Sequence, residues 1–243
     1  MTEIILPDKI KIMLENFTRD IKAACSNNLI SLILYGSAAS GEFTDANSNL
    51  NVLIVLKDDS LTGLKAIKPV VTRFGYRRIQ PIIFNKEYIL SSLDVFPIEF
   101  LDMKENYHIL WGEDTLKDVV IDTKNLRFQC EQELKLKLIN LKQAFLRLNP
   151  ADRTMVSNLL FRNFTSCLHI LRNLVRLKGK KPAYIKEEIL REITVELQLS
   201  ITTFLKVLEA KKEPSALKTE EILGLLIDFT SELEKITKAV DRI

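Results

Sequence analysis

Residues 29–56 read LISLILYGSAASGEFTDANSNLNVLIVL, and this stretch constrains the fold more than any other. Leu29–Tyr35 and Leu50–Leu56 are short, nearly unbroken aliphatic runs, the pattern of strands covered on both faces. Between them, Gly36-Ser37 must turn the chain sharply out of the first strand. Glycine permits positive φ and lets a ligand approach the backbone closely. Eleven residues then separate Ser37 from Asn49. Asn49 and Asn51 open the second strand and share one face of it, because strand side chains alternate.

The flanking sequence supplies layers for such a sheet. Ile10, Met13, Leu14, Phe17 and Ile21 recur at helical spacing, and Pro7-Asp8 suits a helix start. Leu61–Phe74 reads as one helix with Pro69 inside it. Ile79–Phe84 is a third strand that tolerates Pro81 only at an edge or an end. Asn85 can cap a helix over 86–93. Val95–Met103 is dense in apolar residues and is expected to pack on the sheet, and Tyr107–Leu110 is a fourth strand. From Thr123 the strand signal stops. Leu134, Leu138, Leu141, Phe145 and Leu148 fall on one helix face, and Asn149-Pro150 ends that helix. Asp152 can cap the next, which runs to Leu177. Further helical patterns cover 184–193, 202–211 and 222–240. The reading is α+β: a mixed sheet flanked by helices in residues 1–122, then an all-α helical bundle in residues 123–243.

Charge divides the same way. Residues 123–243 hold 22 Lys and Arg against 15 Asp and Glu, whereas residues 1–122 hold 13 against 17. The halves are suited to attract each other, or the basic half to face an anion, while most of these charges fit solvated helix faces. Arg172, Arg176, Lys178, Lys180, Lys181 and Lys186 concentrate this charge at a helix end, where cations also complement the helix dipole. Tyr107, Trp111 and Tyr184 do not interleave with these cations, so nucleic-acid recognition is not supported. Three scattered cysteines, Cys25, Cys130 and Cys167, argue against a disulfide framework and for a reducing compartment. No apolar run approaches the ~20 residues that span a bilayer, so the expected location is cytoplasmic, with no membrane partner.

The combination of an apolar strand, Gly36-Ser37, the spacer, and paired polar residues at 49 and 51 resembles the nucleotidyltransferase superfamily. That group includes DNA polymerase beta and the kanamycin nucleotidyltransferases. Gly41-Glu42 with Ser48 echoes the family's loop. Phe96-Pro97-Ile98-Glu99-Phe100-Leu101 and Trp111-Gly112-Glu113-Asp114 look like the continuation in bacterial members with a helical tail. The resemblance implies transfer of a nucleoside monophosphate from a nucleoside triphosphate to a hydroxyl of a small molecule or protein. It also implies Mg²⁺ held by an acid pair on the second strand and a third acid on a later strand. Gly36, Ser37, Ser48, Arg172, Arg176 and Lys180 are the residues expected to bind the nucleotide.

The sequence departs from the pattern where metal would bind. Asn49 and Asn51 occupy the two acid positions, and Arg78, Gln80 and Ile82 on the third strand offer no carboxylate. Amide oxygens are neutral ligands, and Mg²⁺ prefers anionic ones. The expectation is a catalytically impaired protein with no metal site that keeps a nucleotide- or partner-binding role, with a homodimer as one partner state. The alternative is an active enzyme recruiting Glu42, Asp45 or Glu99. A third reading, a HEPN-like ribonuclease or toxin–antitoxin partner, draws on Arg162 and His169, which resemble the ribonuclease motif of HEPN helical bundles. There the histidine would serve as general acid or base and the arginine would steady a phosphate. His169 stands among Cys167, Leu168, Ile170 and Leu171, which favours a partly buried helix residue.

Overall fold

The computed structural model describes residues 6–40, 43, 49–75, 78–183, 185–213 and 216–241. The chain divides into two compact units, Met1–Asp122 and Thr123–Ile243.

The first unit is built on a mixed four-stranded sheet of β1 (Leu29–Tyr35), β2 (Leu50–Leu56), β3 (Ile79–Asn85) and β4 (Tyr107–Gly112), in the order β3-β2-β1-β4. β1 is antiparallel to β2 and β4, and β2 is parallel to β3. Pro81 sits on β3, an outer strand of the described sheet, where its missing N–H costs no ladder bond. Alternation along β1 and β2 feeds two apolar layers. One face carries Leu32, Leu34, Val52 and Ile54 against Ile10, Leu14, Phe17 and Ile21 of α1 (Asp8–Cys25). Ile67 and Val71 extend that layer. The other face carries Ile33, Leu53 and Val55 against Ile89 of α5 (Lys86–Ser91) and Phe100 and Met103 of α6 (Pro97–Glu105).

The single helix expected over 61–74 is two pieces, α3 (Leu61–Leu64) and α4 (Lys68–Phe74). Pro69 lies in the first turn of α4, where the missing donor is harmless. A continuous helix would instead lose a bond at Pro69 and crowd the preceding turn. The Asn85 side chain does cap α5, accepting from the Tyr88 N–H at 2.7 Å.

Among the described residues, the second unit holds five helices: α7 (Thr123–Leu146), α8 (Arg153–Leu177), α9 (Lys186–Leu197), α10 (Thr202–Lys212) and α11 (Thr219–Val240). Asp152 caps α8 by accepting from the Met155 N–H at 2.9 Å. The core is aromatic at its centre. Phe204 and Phe229 lie 4.8 Å apart between ring centroids, with Phe164 at 6.0 and 6.5 Å from them. Among the described residues, no helix is long and apolar enough to cross a membrane.

Candidate functional site

The site is assembled where β1 ends. Gly36 has φ +76°, a conformation that costs an L side chain strain. Its N–H donates to Asn106 O at 3.1 Å, which ties the turn to the residue before β4. Its carbonyl accepts from the Ala39 and Ser40 N–H groups at 2.9 and 3.0 Å, closing the short turn α2 (Ser37–Ser40). Ser40 Oγ donates to Ser37 O at 3.2 Å. His108 Nε2 lies 3.2 Å from Ala39 O and secures the same turn from β4. A β-carbon on Gly36 would stand 3.1 Å from Asn51 Nδ2. The turn and the amide are therefore close, and a β-carbon there would make the amide shift.

Strand register places the remaining groups. Asn51 pairs with Tyr35 across β1 and with Gln80 across β3, and Tyr35 pairs with Tyr107 on β4. Paired residues share a face, so Gln80, Asn51, Tyr35 and Tyr107 form one row across the sheet. The Leu50 N–H donates to Arg78 O at 2.8 Å, which brings Arg78 alongside Asn49. Ile82 pairs with Leu53 in the apolar layer, so it belongs to the core.

The two phenols of this row each face an acid. Burial pushes the Tyr35 hydroxyl up to about 12, and the nearby Asp102 carboxylate acts in the same direction. The Tyr107 hydroxyl donates to the Asp114 carboxylate at 3.0 and 3.1 Å. Burial foremost, with that hydrogen bond and charge, raises the Tyr107 pKa. Asp102 is half-buried on α6, and Glu99 one turn earlier is exposed. Sequence patterning missed Tyr35, Tyr107 and Asp102, because only strand register and the α6 crossing bring them to the row. Tyrosine at the last residue of β1 and the first of β4 was the available signal.

Gly36, Ser37, Asn49 and Asn51 thus lie together. Glu42, Asp45 and Ser48 lie outside the described residues. Arg172, Arg176 and Lys180 belong to the second unit, and each has an intramolecular contact. Arg172 Nε donates to Ala183 O at 3.3 Å, Arg176 Nη1 to Asn173 Oδ1 at 2.5 Å, and Lys180 pairs with Glu196 at 2.6 Å. The Arg172 and Lys180 bonds hold the chain between α8 and α9, and the Arg176 bond lies within α8. Arg162 and His169 stand on α8, two turns apart and on one side. His169 is exposed, contrary to the partial burial expected from its apolar neighbours, because Cys167, Leu168, Ile170 and Leu171 take the buried positions around it.

The donor set can be tested against Mg²⁺. At the acid positions stand neutral carboxamides, with a guanidinium-bearing residue beside them. Mg²⁺ sheds its water reluctantly and takes carboxylates when it does. Among the described residues, no group of three or more His, Cys, Asp or Glu is arranged to hold a metal ion. The described residues do not fit the ion.

No family model matches the sequence. Over 101 residues, 40% of this chain and 93% of the relative, the sequence is 30% identical to a Methanocaldococcus jannaschii protein provisionally named a protein adenylyltransferase. The fold is similar to the crystal structure of spectinomycin adenyltransferase AAD(9) from Enterococcus faecialis with ATP and spectinomycin. The TM-score is 0.59 over 92% of this chain and 99% of that one, at 13% identity. A nucleotidyltransferase-like protein from Exiguobacterium sibiricum 255-15 aligns over 93% of this chain and 75% of its own, with TM-score 0.39 and 16% identity.

Proposed function

Since the chain belongs to the nucleotidyltransferase superfamily, we propose that it is a catalytically impaired member that keeps a nucleotide-binding site at the Gly36 turn. One observation carries the reading. The positions that would hold catalytic metal are Asn49 and Asn51, and the third-strand partner of Asn51 is Gln80. Metal-assisted transfer gains several kcal/mol of charge stabilisation from its ions. Neutral amides remove the charge that would retain them. The Gly36 turn, by contrast, keeps a positive φ that glycine adopts without strain, with the Asn51 amide beside it.

Adenine nucleotides are the first ligands to try, because the Methanocaldococcus jannaschii relative is named an adenylyltransferase. Gly36 and Ser37 are the proposed phosphate contacts, and Ser48 is a further candidate. Arg172, Arg176 and Lys180 take a structural duty in this proposal, since each is already engaged within the second unit. The three free, buried cysteines support a reducing compartment, and the cytoplasm is the proposed location.

The test is incubation of the full chain with each labelled nucleoside triphosphate and Mg²⁺ or Mn²⁺, reading pyrophosphate release and label transfer. No turnover is expected, alongside measurable ATP binding. Robust turnover by the natural sequence, abolished by Ser37→Ala, would overturn the reading.

A further inference from the structure

We infer that this site binds the phosphates of its nucleotide as a bare anion, so that divalent metal weakens binding instead of enabling it. The inference rests on the nucleotide-binding reading above and names the ionic form of its ligand. It starts from the mismatch between the donor set and Mg²⁺.

A carboxylate offers only acceptors, and a pair of them needs a cation between itself and a phosphate. A carboxamide of the same shape offers two N–H donors as well as one acceptor. At Asn49, Asn51 and Gln80 the exchange turns a surface that repels phosphate into one able to donate to it. Asn51 Nδ2, the donor end, is turned toward the Gly36 turn, 3.1 Å from where a β-carbon would stand. Arg78 lies alongside Asn49 through the Leu50 N–H to Arg78 O bond. It places a basic residue beside the amides where an acid pair would leave a strongly negative field. Hydrogen bonds to an ionised phosphate are roughly twice as strong as neutral ones, so the gain falls on the anion.

The metal complex is the poorer ligand for the same reasons. Bound Mg²⁺ covers phosphate oxygens that the amides would otherwise reach, and it removes two units of the negative charge that Arg78 attracts. Its remaining coordination positions meet neutral or positive groups. An opposing field comes from Asp102, which acts on Tyr35, the register partner of Asn51, and from Asp114, which accepts from Tyr107.

The experiment is calorimetric titration of the full chain with ATP and with inorganic tripolyphosphate, in excess EDTA and in excess Mg²⁺ at matched ionic strength. ATP is expected to bind more tightly in EDTA than in Mg²⁺. Tripolyphosphate is expected to show the same order, since the inference concerns phosphate and not the base. Arg78→Ala should weaken binding in EDTA by about tenfold, the loss of one charge-assisted contact. Asn49→Asp with Asn51→Asp should invert the order, making binding depend on Mg²⁺. If that pair fails to fold, as judged by circular dichroism, the Arg78→Ala arm still decides. Binding by the natural sequence that is as tight or tighter in Mg²⁺ would overturn this inference and leave nucleotide binding standing. No binding of folded protein under either condition would overturn both.

Discussion

At the scale of single residues, Gly36 is held by its backbone. Its φ of +76° strains any L side chain, and a β-carbon 3.1 Å from Asn51 Nδ2 would make that amide shift. Gly36→Ala should therefore cost about 1–2 kcal/mol of stability, read as a lower urea midpoint, and should also reduce ATP binding. The cysteines make a second prediction. Burial pushes the Cys25 thiol up to about 11 and those of Cys130 and Cys167 to about 12, from an ordinary 9.0. Glu133 adds to the rise at Cys130. A raised folded-state pKa means that the unfolded chain loses its protons first as pH rises. Stability should be full below pH 9.0 and fall as pH approaches 12, each unit costing at most about 1.4 kcal/mol per thiol. Urea midpoints measured across that window check the slope. Thiol reagents at neutral pH should label only after unfolding.

At the scale of elements, the informative case is the start of α10. Ile201 precedes it and supplies no side-chain cap. The buried Glu232 of α11 does so from 29 residues away, accepting from the Thr203 N–H at 2.9 and 3.0 Å and from the Phe204 N–H at 3.3 Å. Glu232→Ala leaves those donors buried and unpaired, which should cost about 1–3 kcal/mol. Glu232→Gln keeps one acceptor oxygen and should cost less. Amide exchange at Thr203 and Phe204 should accelerate in the alanine variant first. No periodicity reveals this cap, because a glutamate in the middle of α11 looks like any solvated helix charge. Local caps were legible by contrast: Asn85 and Asp152 were readable from the sequence because the acceptor lies three residues from its donor.

At the scale of the whole molecule, the two units carry separate cores. Residues 123–243 enclose the Phe164, Phe204 and Phe229 cluster within their own helices. That size lies within the range of independently folding domains. A fragment of residues 123–243 should unfold cooperatively in urea with strong helical circular dichroism. A fragment without a cooperative transition would show that its core needs the first unit.

What the sequence determined by itself was local. Strands at Leu29–Tyr35 and Leu50–Leu56 follow from aliphatic runs bounded by polar turns, and the structure has them at those residues. The turn at Gly36 and the shared face of Asn49 and Asn51 follow from glycine's backbone freedom and the two-residue period of a strand. The mixed sheet needed a tertiary decision. Whether β3 runs parallel to β2, and so whether Gln80 or another residue faces Asn51, depends on how the crossover through α3 and α4 is routed. The same holds for Arg78 beside Asn49, Tyr35 between Asn51 and Tyr107, and Glu232 beneath α10. Each joins groups that are distant in the chain, and side-chain period along one strand or helix carries no information about which neighbour that face will meet.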